Sequence, residues 1–290
     1  MIIGENREAV IENIKAAAES GDFHKKVEIS DPVLTAEETD QIIDNYLSSR
    51  NTVSYKFKCF IARRIVDFAE KLINKDTDIV GEENLPETLD GVLITSNHFS
   101  PIENTVIRKM VKKHGKHRLH IVSQTTNFAM KGFVGFLLNY ADTIPIIDDP
   151  RYLARKFTGI LSGILSKKRP VLIYPEQEMW FNYKKPRPPK RGVYYYASKL
   201  NAPIISCFVE MTELDQNDTK EFLKVKYTLH ILGTLRPDLE KSAKENSYIL
   251  CEKDYALKKA AYEKIYGKPL TYNFEKDDIA GWLGGEHHEQ

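Results

Sequence analysis

Cysteine is scarce in this 290-residue chain: Cys59, Cys207 and Cys251 are odd in number and far apart, and they form neither a CxxC pair nor a Cys/His zinc spacing. That usage fits a reducing compartment with free thiols and argues against a disulfide framework or a structural zinc. Long apolar runs are missing as well. The longest stretches without Asp, Glu, Lys or Arg are the 12 residues Gly91–Ile102 and Leu119–Met130, short of the roughly 17–25 residues of a membrane-spanning helix. The opening Met1–Asn6 has no basic segment followed by an apolar one, so secretion is not expected. His114 and His117 lie among lysines that would repel a cation, and no metal is expected there. Gly-rich phosphate loops of the GxGxxG and P-loop kinds are absent, as is a GxSxG nucleophile elbow. Dinucleotide enzymes, P-loop NTPases and α/β-hydrolases are therefore disfavoured.

What is present is an uneven charge. The formal net charge of +1 conceals residues 101–200, which hold 19 basic and 6 acidic side chains, against a net −12 in the remainder. The basic residues come in three groups: Arg108 to Arg118, Lys167-Lys168-Arg169, and Lys184 to Arg191. Such clustering suggests an anionic partner, a phosphate or an anionic membrane surface. No nucleic-acid recognition motif accompanies it, and the tyrosines of Tyr194-Tyr195-Tyr196 cannot share one helix face, so nucleic acid is not expected.

Periodicity divides the chain into an N-terminal helical region (1–78), an α/β core (79–236) and a C-terminal helix and tail (237–290). Ile11, Ile14, Ala17 and Ala18 fall at helical spacing, and Thr35-Ala36-Glu37-Glu38 reads as a cap and first turn. Phe57, Phe60, Ile61, Ile65, Phe68, Leu72 and Ile73 form an apolar stripe on a basic helix. A helix of that kind either lies in a membrane interface or packs on the core. From Ile79 onward short apolar strands alternate with helical runs. Strands are expected at Gly91–Ser96, Leu119–Ser123, Thr143–Ile147, Val171–Tyr174, Ile204–Val209 and Lys224–Leu232, and helices from Ile102, over Leu153–Leu165 and over Leu239–Tyr266. The fold class is α/β: a central mixed sheet flanked by helices, with helical additions at both ends.

Two segments carry chemistry. In Ser96-Asn97-His98-Phe99-Ser100-Pro101-Ile102-Glu103 a histidine follows a buried strand and a carboxylate lies five residues on. Strand C-terminal ends are where α/β sheets bind ligands, and a histidine held by a carboxylate on one ring nitrogen can take a proton on the other. The second segment, Tyr174-Pro175-Glu176-Gln177-Glu178, again ends a strand and leads into the basic, proline-stiffened Lys184–Gly192.

Together these segments resemble the glycerolipid acyltransferases, the lysophosphatidate and glycerol-phosphate acyltransferases, whose first motif is NHxxxxD and whose third reads roughly FPEGTRS. Asn97-His98 and Glu103 fall on the first and Tyr174-Pro175-Glu176 on the start of the third; Val80–Pro86, Lys190-Arg191-Gly192 and Ala202–Ile205 resemble the segments around them. The resemblance spans about Ile79 to Leu235. It implies an O-acyltransferase that needs no cofactor and moves a fatty acyl group from acyl-CoA or acyl-carrier protein to the hydroxyl of a lysophospholipid or related lipid. His98 would be the general base and Glu103 its partner. Asn97, Ser100, Glu176, Gln177, Lys184, Lys185, Arg187 and Lys190 would meet substrate, and the protein would be cytoplasmic, held peripherally at an anionic membrane. The sequence departs from the pattern at Glu103 in place of Asp, at Gln177-Glu178-Met179 in place of Gly-Thr-Arg, and at Asp148-Asp149, where the second motif has an arginine. The missing arginines leave two further readings: an acyltransferase for a non-phosphorylated acceptor such as a lysoglycolipid, or a lipid-binding member with altered catalysis.

Overall fold

The computed structural model describes residues 6–29 and 32–284; the opening residues 1–5 and the last part of the polar tail lie outside them. Seven strands form one sheet: β1 (Asp78–Val80), β2 (Leu93–Thr95), β3 (His120–Gln124), β4 (Thr143–Ile146), β5 (Val171–Leu172), β6 (Ile204–Asn217) and β7 (Leu223–Leu235), in the order β1-β7-β6-β2-β5-β3-β4. Among the pairings only β6 with β7 is antiparallel, so the sheet is mixed.

Alternation of apolar side chains explains why helices cover both faces. Leu93, Val171 and Ile204 stand side by side across β2, β5 and β6, and the next residues, Ile94, Leu172 and Ile205, point to the opposite face. One face is covered by helix α4 (Asn104–Lys113) through Val106, Ile107, Met110 and Val111. The other is covered by α7 (Thr158–Leu165), α8 (Gly192–Lys199) and the long C-terminal helix α9 (Ala243–Tyr266). Burying a Leu or Ile on either face contributes about 1.5–3 kcal/mol, so these short strands are stabilised chiefly by the layers around them. A third core joins α1 (Arg7–Glu19) to the segment after β5, where Val10, Ile11 and Ile14 pack with Trp180, Phe181 and Tyr183.

Several elements differ from the sequence reading. Strands β6 and β7 run on as an antiparallel ribbon in which Glu213 faces Val225 and Asn217 faces Leu223; the extension is mostly exposed on β6 and has no apolar run to announce it. The helix expected over Leu153–Leu165 opens with a π-helical stretch, Tyr152–Phe157, whose start is capped by the Asp149 carboxylate, 2.7 Å from Tyr152 N. Helices α5 (Thr125–Phe128), α6 (Gly132–Tyr140) and α8 were not anticipated. In α8 Tyr194 and Tyr196 turn into the core and Tyr195 turns out. Helix α2 (Ala36–Ser49) starts at the expected place, with a reciprocal capping box between Thr35 and Glu38.

Helix α3 (Val53–Ile73) packs against its neighbours through a face other than its apolar stripe. It buries Cys59, Ala62 and Glu70 and presents the stripe outward, with Phe57 62% and Phe68 66% exposed, alongside Phe60, Ile61 and Leu72. Phe133 and Val134 of the neighbouring α6 are exposed as well. No helix among the described residues is long and apolar enough to cross a membrane.

Candidate active site

The end of β2 is anchored from below and from the side. The Thr95 hydroxyl donates to Asp254 of α9 at 3.0 Å, and Asp254 also accepts from Tyr194 at 2.5 Å and from Lys258 at 2.7 Å, all inside the protein. Beyond the strand, the Asn97 side chain substitutes for a strand backbone: its Oδ1 accepts from Val209 N at 2.8 Å and its Nδ2 donates to Val209 O at 3.0 Å. The segment after β5 closes the other side, with Trp180 N donating to His98 O at 3.1 Å and Asn182 N to Phe99 O at 2.9 Å. These bonds deliver His98 to the C-terminal edge of the sheet in one orientation.

The turn through Ser100-Pro101 then brings Glu103 back to the ring. Glu103 Oε1 lies 2.6 Å from His98 Nδ1, and Oε2 accepts from Ser100 N at 2.5 Å. The carboxylate is buried while the imidazole keeps 20% of its surface exposed. An ionised carboxylate can only accept, so beside it Nδ1 carries the proton and Nε2 keeps its lone pair. The extra methylene of Glu over Asp is absorbed by the turn, which draws Oε2 onto its own backbone. Tyr174, at the end of β5, lies flat on the imidazole with ring centroids 4.0 Å apart and planes 9° apart. Its hydroxyl is buried beside the Glu103 carboxylate, without a hydrogen bond of good geometry, and burial followed by the nearby Glu103 carboxylate pushes this phenol well above its ordinary value.

Glu176 supports the same turn from behind. Its Oε2 accepts from His98 N at 3.3 Å and lies 3.0 Å from Arg187 Nη2, while its Oε1 accepts from Arg187 N at 3.1 Å. Arg187 also donates to Phe23 O at 2.9 Å and to Glu178 O, and stacks over Trp180. It is wholly enclosed, as is Lys185, whose ammonium is held by Asp278 at 2.7 Å and Asn273 O at 2.8 Å.

The residues singled out from sequence therefore divide. His98, Glu103, Ser100 and Glu176 converge on one turn, with Ser100 contributing its backbone N–H. Asn97, Lys185 and Arg187, expected to meet substrate, are enclosed and bonded to protein groups in this structure, as is Glu176. Lys184 pairs with Glu213 at 2.8 Å and lies over the Tyr266 ring. Gln177, at φ 69°, and Lys190 are exposed. Sequence reasoning missed the Tyr174 stack, although Tyr174 lies in the motif. It also missed Trp180 and the Thr95–Asp254 anchor, whose partners are 159 residues apart with no local signal.

Residues 76–210 match the family model described as Acyltransferase. No curated protein matches the sequence significantly. Among solved structures the fold is similar to that of the 1-acyl-sn-glycerophosphate acyltransferase PlsC from Thermotoga maritima, with a TM-score of 0.50 at 14% identity, covering 81% of this chain and 96% of that one. Since the matched stretch runs from just before β1 into β6 and contains both the histidine turn and the glutamate that supports it, these elements form an acyltransferase domain, and the protein is an acyltransferase.

Proposed function

We propose that the protein transfers a fatty acyl group from an acyl thioester, acyl-CoA or acyl-carrier protein, to the free hydroxyl of a lysophospholipid or related lysolipid. The observation that carries the reading is the 2.6 Å contact from His98 Nδ1 to a buried Glu103 carboxylate, with the imidazole still partly exposed. His98 Nε2 takes the hydroxyl proton as the oxygen attacks the thioester carbonyl. Collapse of the tetrahedral intermediate breaks the C–S bond, and the proton passes from the imidazolium to the departing thiolate. Glu103 balances the transient positive charge. The acyl group goes directly from donor to acceptor.

The test is mass spectrometry of acyl transfer with acyl-CoA and acyl-carrier protein, each offered a panel of lysolipids, for the wild type and His98→Ala. Transfer by the wild type and its loss in a folded His98→Ala protein are expected; unchanged turnover in the variant refutes the base. The same panel addresses the acceptor. Enclosure of Lys185 and Arg187 in protein ion pairs favours a second reading, a neutral acceptor such as a lysoglycolipid. A preference for 1-acyl-sn-glycerophosphate, the acceptor in the name of the structural neighbour, counts against that second reading.

The substrates' tails call for a lipid surface, and the outward apolar stripe of α3 with Phe133 and Val134 of α6 supplies a face for it, flanked by Lys56, Arg64 and Lys71. Attachment is peripheral and has both an ionic and an apolar part. Since the Debye length falls from about 10 Å at 0.1 M salt to about 3 Å at 1 M, high salt should release only part of the protein from anionic vesicles. Phe57→Ser combined with Phe68→Ser should release most of the remainder; complete release of the wild type by salt alone shows that the stripe does not insert.

A further inference from the structure

The Glu103 hydrogen bond fixes one atom of the His98 ring but leaves the ring free to swing about that bond, so a second constraint must set its plane. Tyr174 provides one, lying parallel to the imidazole at a centroid distance of 4.0 Å. We propose that Tyr174 is a positioning residue for His98, whose ring face sets the plane of the imidazole and stabilises its cation, while the tyrosine hydroxyl takes no part. This rests on His98 being the base.

The physical case is as follows. The face of an aromatic ring carries partial negative charge, and a cation within about 6 Å of the centroid is attracted to it, more strongly when water is excluded. Positive charge appears on His98 only after it takes the acceptor's proton, so the stack gains strength as the hydroxyl is activated. An interaction that strengthens along the reaction coordinate raises turnover, whereas one of constant strength does not. The hydroxyl of Tyr174 is buried beside the Glu103 carboxylate but makes no hydrogen bond of good geometry. Such a group usually costs stability, and replacing it by an apolar edge is close to neutral or stabilising. The other groups facing this site are Glu103 from the turn before α4, Glu176 with Arg187 from the segment after β5, and Tyr227 of β7, which its burial and then the Glu103 charge push up; comparing Tyr174→Phe with Tyr174→Leu separates the ring face from the hydroxyl's effect on Glu103.

The experiment is a titration of His98 by NMR in isotope-labelled protein, its resonance assigned by loss in His98→Gln, for the wild type, Tyr174→Phe and Tyr174→Leu. Tyr174→Phe keeps the stack and should leave the titration near the wild-type value. Tyr174→Leu should lower the midpoint by about 0.4–1.5 units, the range expected for loss of a cation–ring contact. The acid limb of kcat/KM should move to lower pH by the same amount, and the plateau should fall roughly 2- to 10-fold, because a weaker base drives proton transfer less. Should Tyr174→Leu fail to fold, phenylalanines of increasing fluorination at position 174 keep the shape and deplete the ring face, and the His98 midpoint should fall stepwise. A folded Tyr174→Leu protein with an unshifted titration overturns the proposal; so does a Tyr174→Phe shift as large as that of Leu, or the absence of a fluorination trend. Activity surviving in His98→Ala overturns the base assignment instead, and the NMR midpoints still read the contact by itself.

Discussion

Two histidine–carboxylate pairs occupy opposite ends of the same parallel strands, and they differ in how the carboxylate is shared and how open the ring is. At the C-terminal edge, Glu103 gives one oxygen to His98 and the other to a backbone N–H, and no described residue bonds His98 Nε2. At the N-terminal edge, His120 opens β3 and lies 4.0 Å from Asp142, which precedes β4. Asp142 is shared out among cations: Arg63 of α3 at 3.3 Å and Arg118, with the enclosed Arg108 nearby. Burial alone would raise the Asp142 pKa, but the Arg118 hydrogen bond and the surrounding positive charge outweigh it and hold the carboxyl below its usual range. His120 is pushed down to about 3, chiefly by burial, with Asp142 opposing. A base must be able to keep the proton it takes. His98 has a carboxylate that pairs with no cation among the described residues, and an open edge; His120 has neither, and its Asp142 partner is the group that ties α3 to the sheet through Arg63.

This contrast can be broken in several ways. The largest effect is expected from His98→Gln, which should lower turnover per folded molecule about 10²–10⁴-fold, while His120→Gln should leave it nearly unchanged; equal losses in steady-state assays would erase the distinction. Next comes Asp142→Asn. It removes the buried charge that Arg63 and Arg118 share and that faces the enclosed Arg108, and since breaking a fully buried pair costs about 3–5 kcal/mol, a loss toward the lower end of that range is expected in urea unfolding. Glu103→Gln, by comparison, should lose activity out of proportion to stability.

A smaller effect is the pH dependence of stability. The folded pKa of His120 lies below the ordinary 6.5 of the unfolded chain, so the unfolded state binds the extra proton as pH falls. Stability is therefore full above 6.5 and declines from there toward about 3, at about 1.4 kcal/mol per pH unit from this residue. His120→Gln should flatten the slope of unfolding free energy between pH 6.5 and 4.5, and an unaltered slope would show that His120 is not the group responsible. Smallest of all is His230→Gln. Its partner Glu210 lies at 2.6 Å, but both are near the surface of β6 and β7, and loss of such a pair costs about 0–1 kcal/mol with no change in turnover. A large loss of turnover there would mean that distance alone marks a functional histidine.

Local pattern carried a good deal. The buried strands were legible because three short runs, around Ile94, Leu172 and Ile205, are apolar on both faces, as strands covered on both sides must be. The capping box at Thr35 was legible because its partners are three residues apart. So was the dyad, since five residues containing a Ser-Pro turn suffice to return Glu103 to His98. The basic loop misled for the opposite reason: nothing near Lys185 or Arg187 in the chain announces Asp278, or that Glu176 would turn back onto Arg187.

The sequence by itself determined six of the seven strands, where the histidine turn falls and that a carboxylate can reach it, because these depend on side-chain alternation and on neighbours a few residues apart; the short β1 (Asp78–Val80) was not among them. Only the tertiary structure decided that Thr95 is anchored by Asp254, that Asn97 bonds to Val209 rather than to substrate, that the stripe of α3 faces outward, and that His98 rather than His120 keeps an open edge. These outcomes depend on which distant groups share a layer and on how much water their packing excludes, and burial sets the charge and reach of an ionisable side chain in a way that its place in the chain does not.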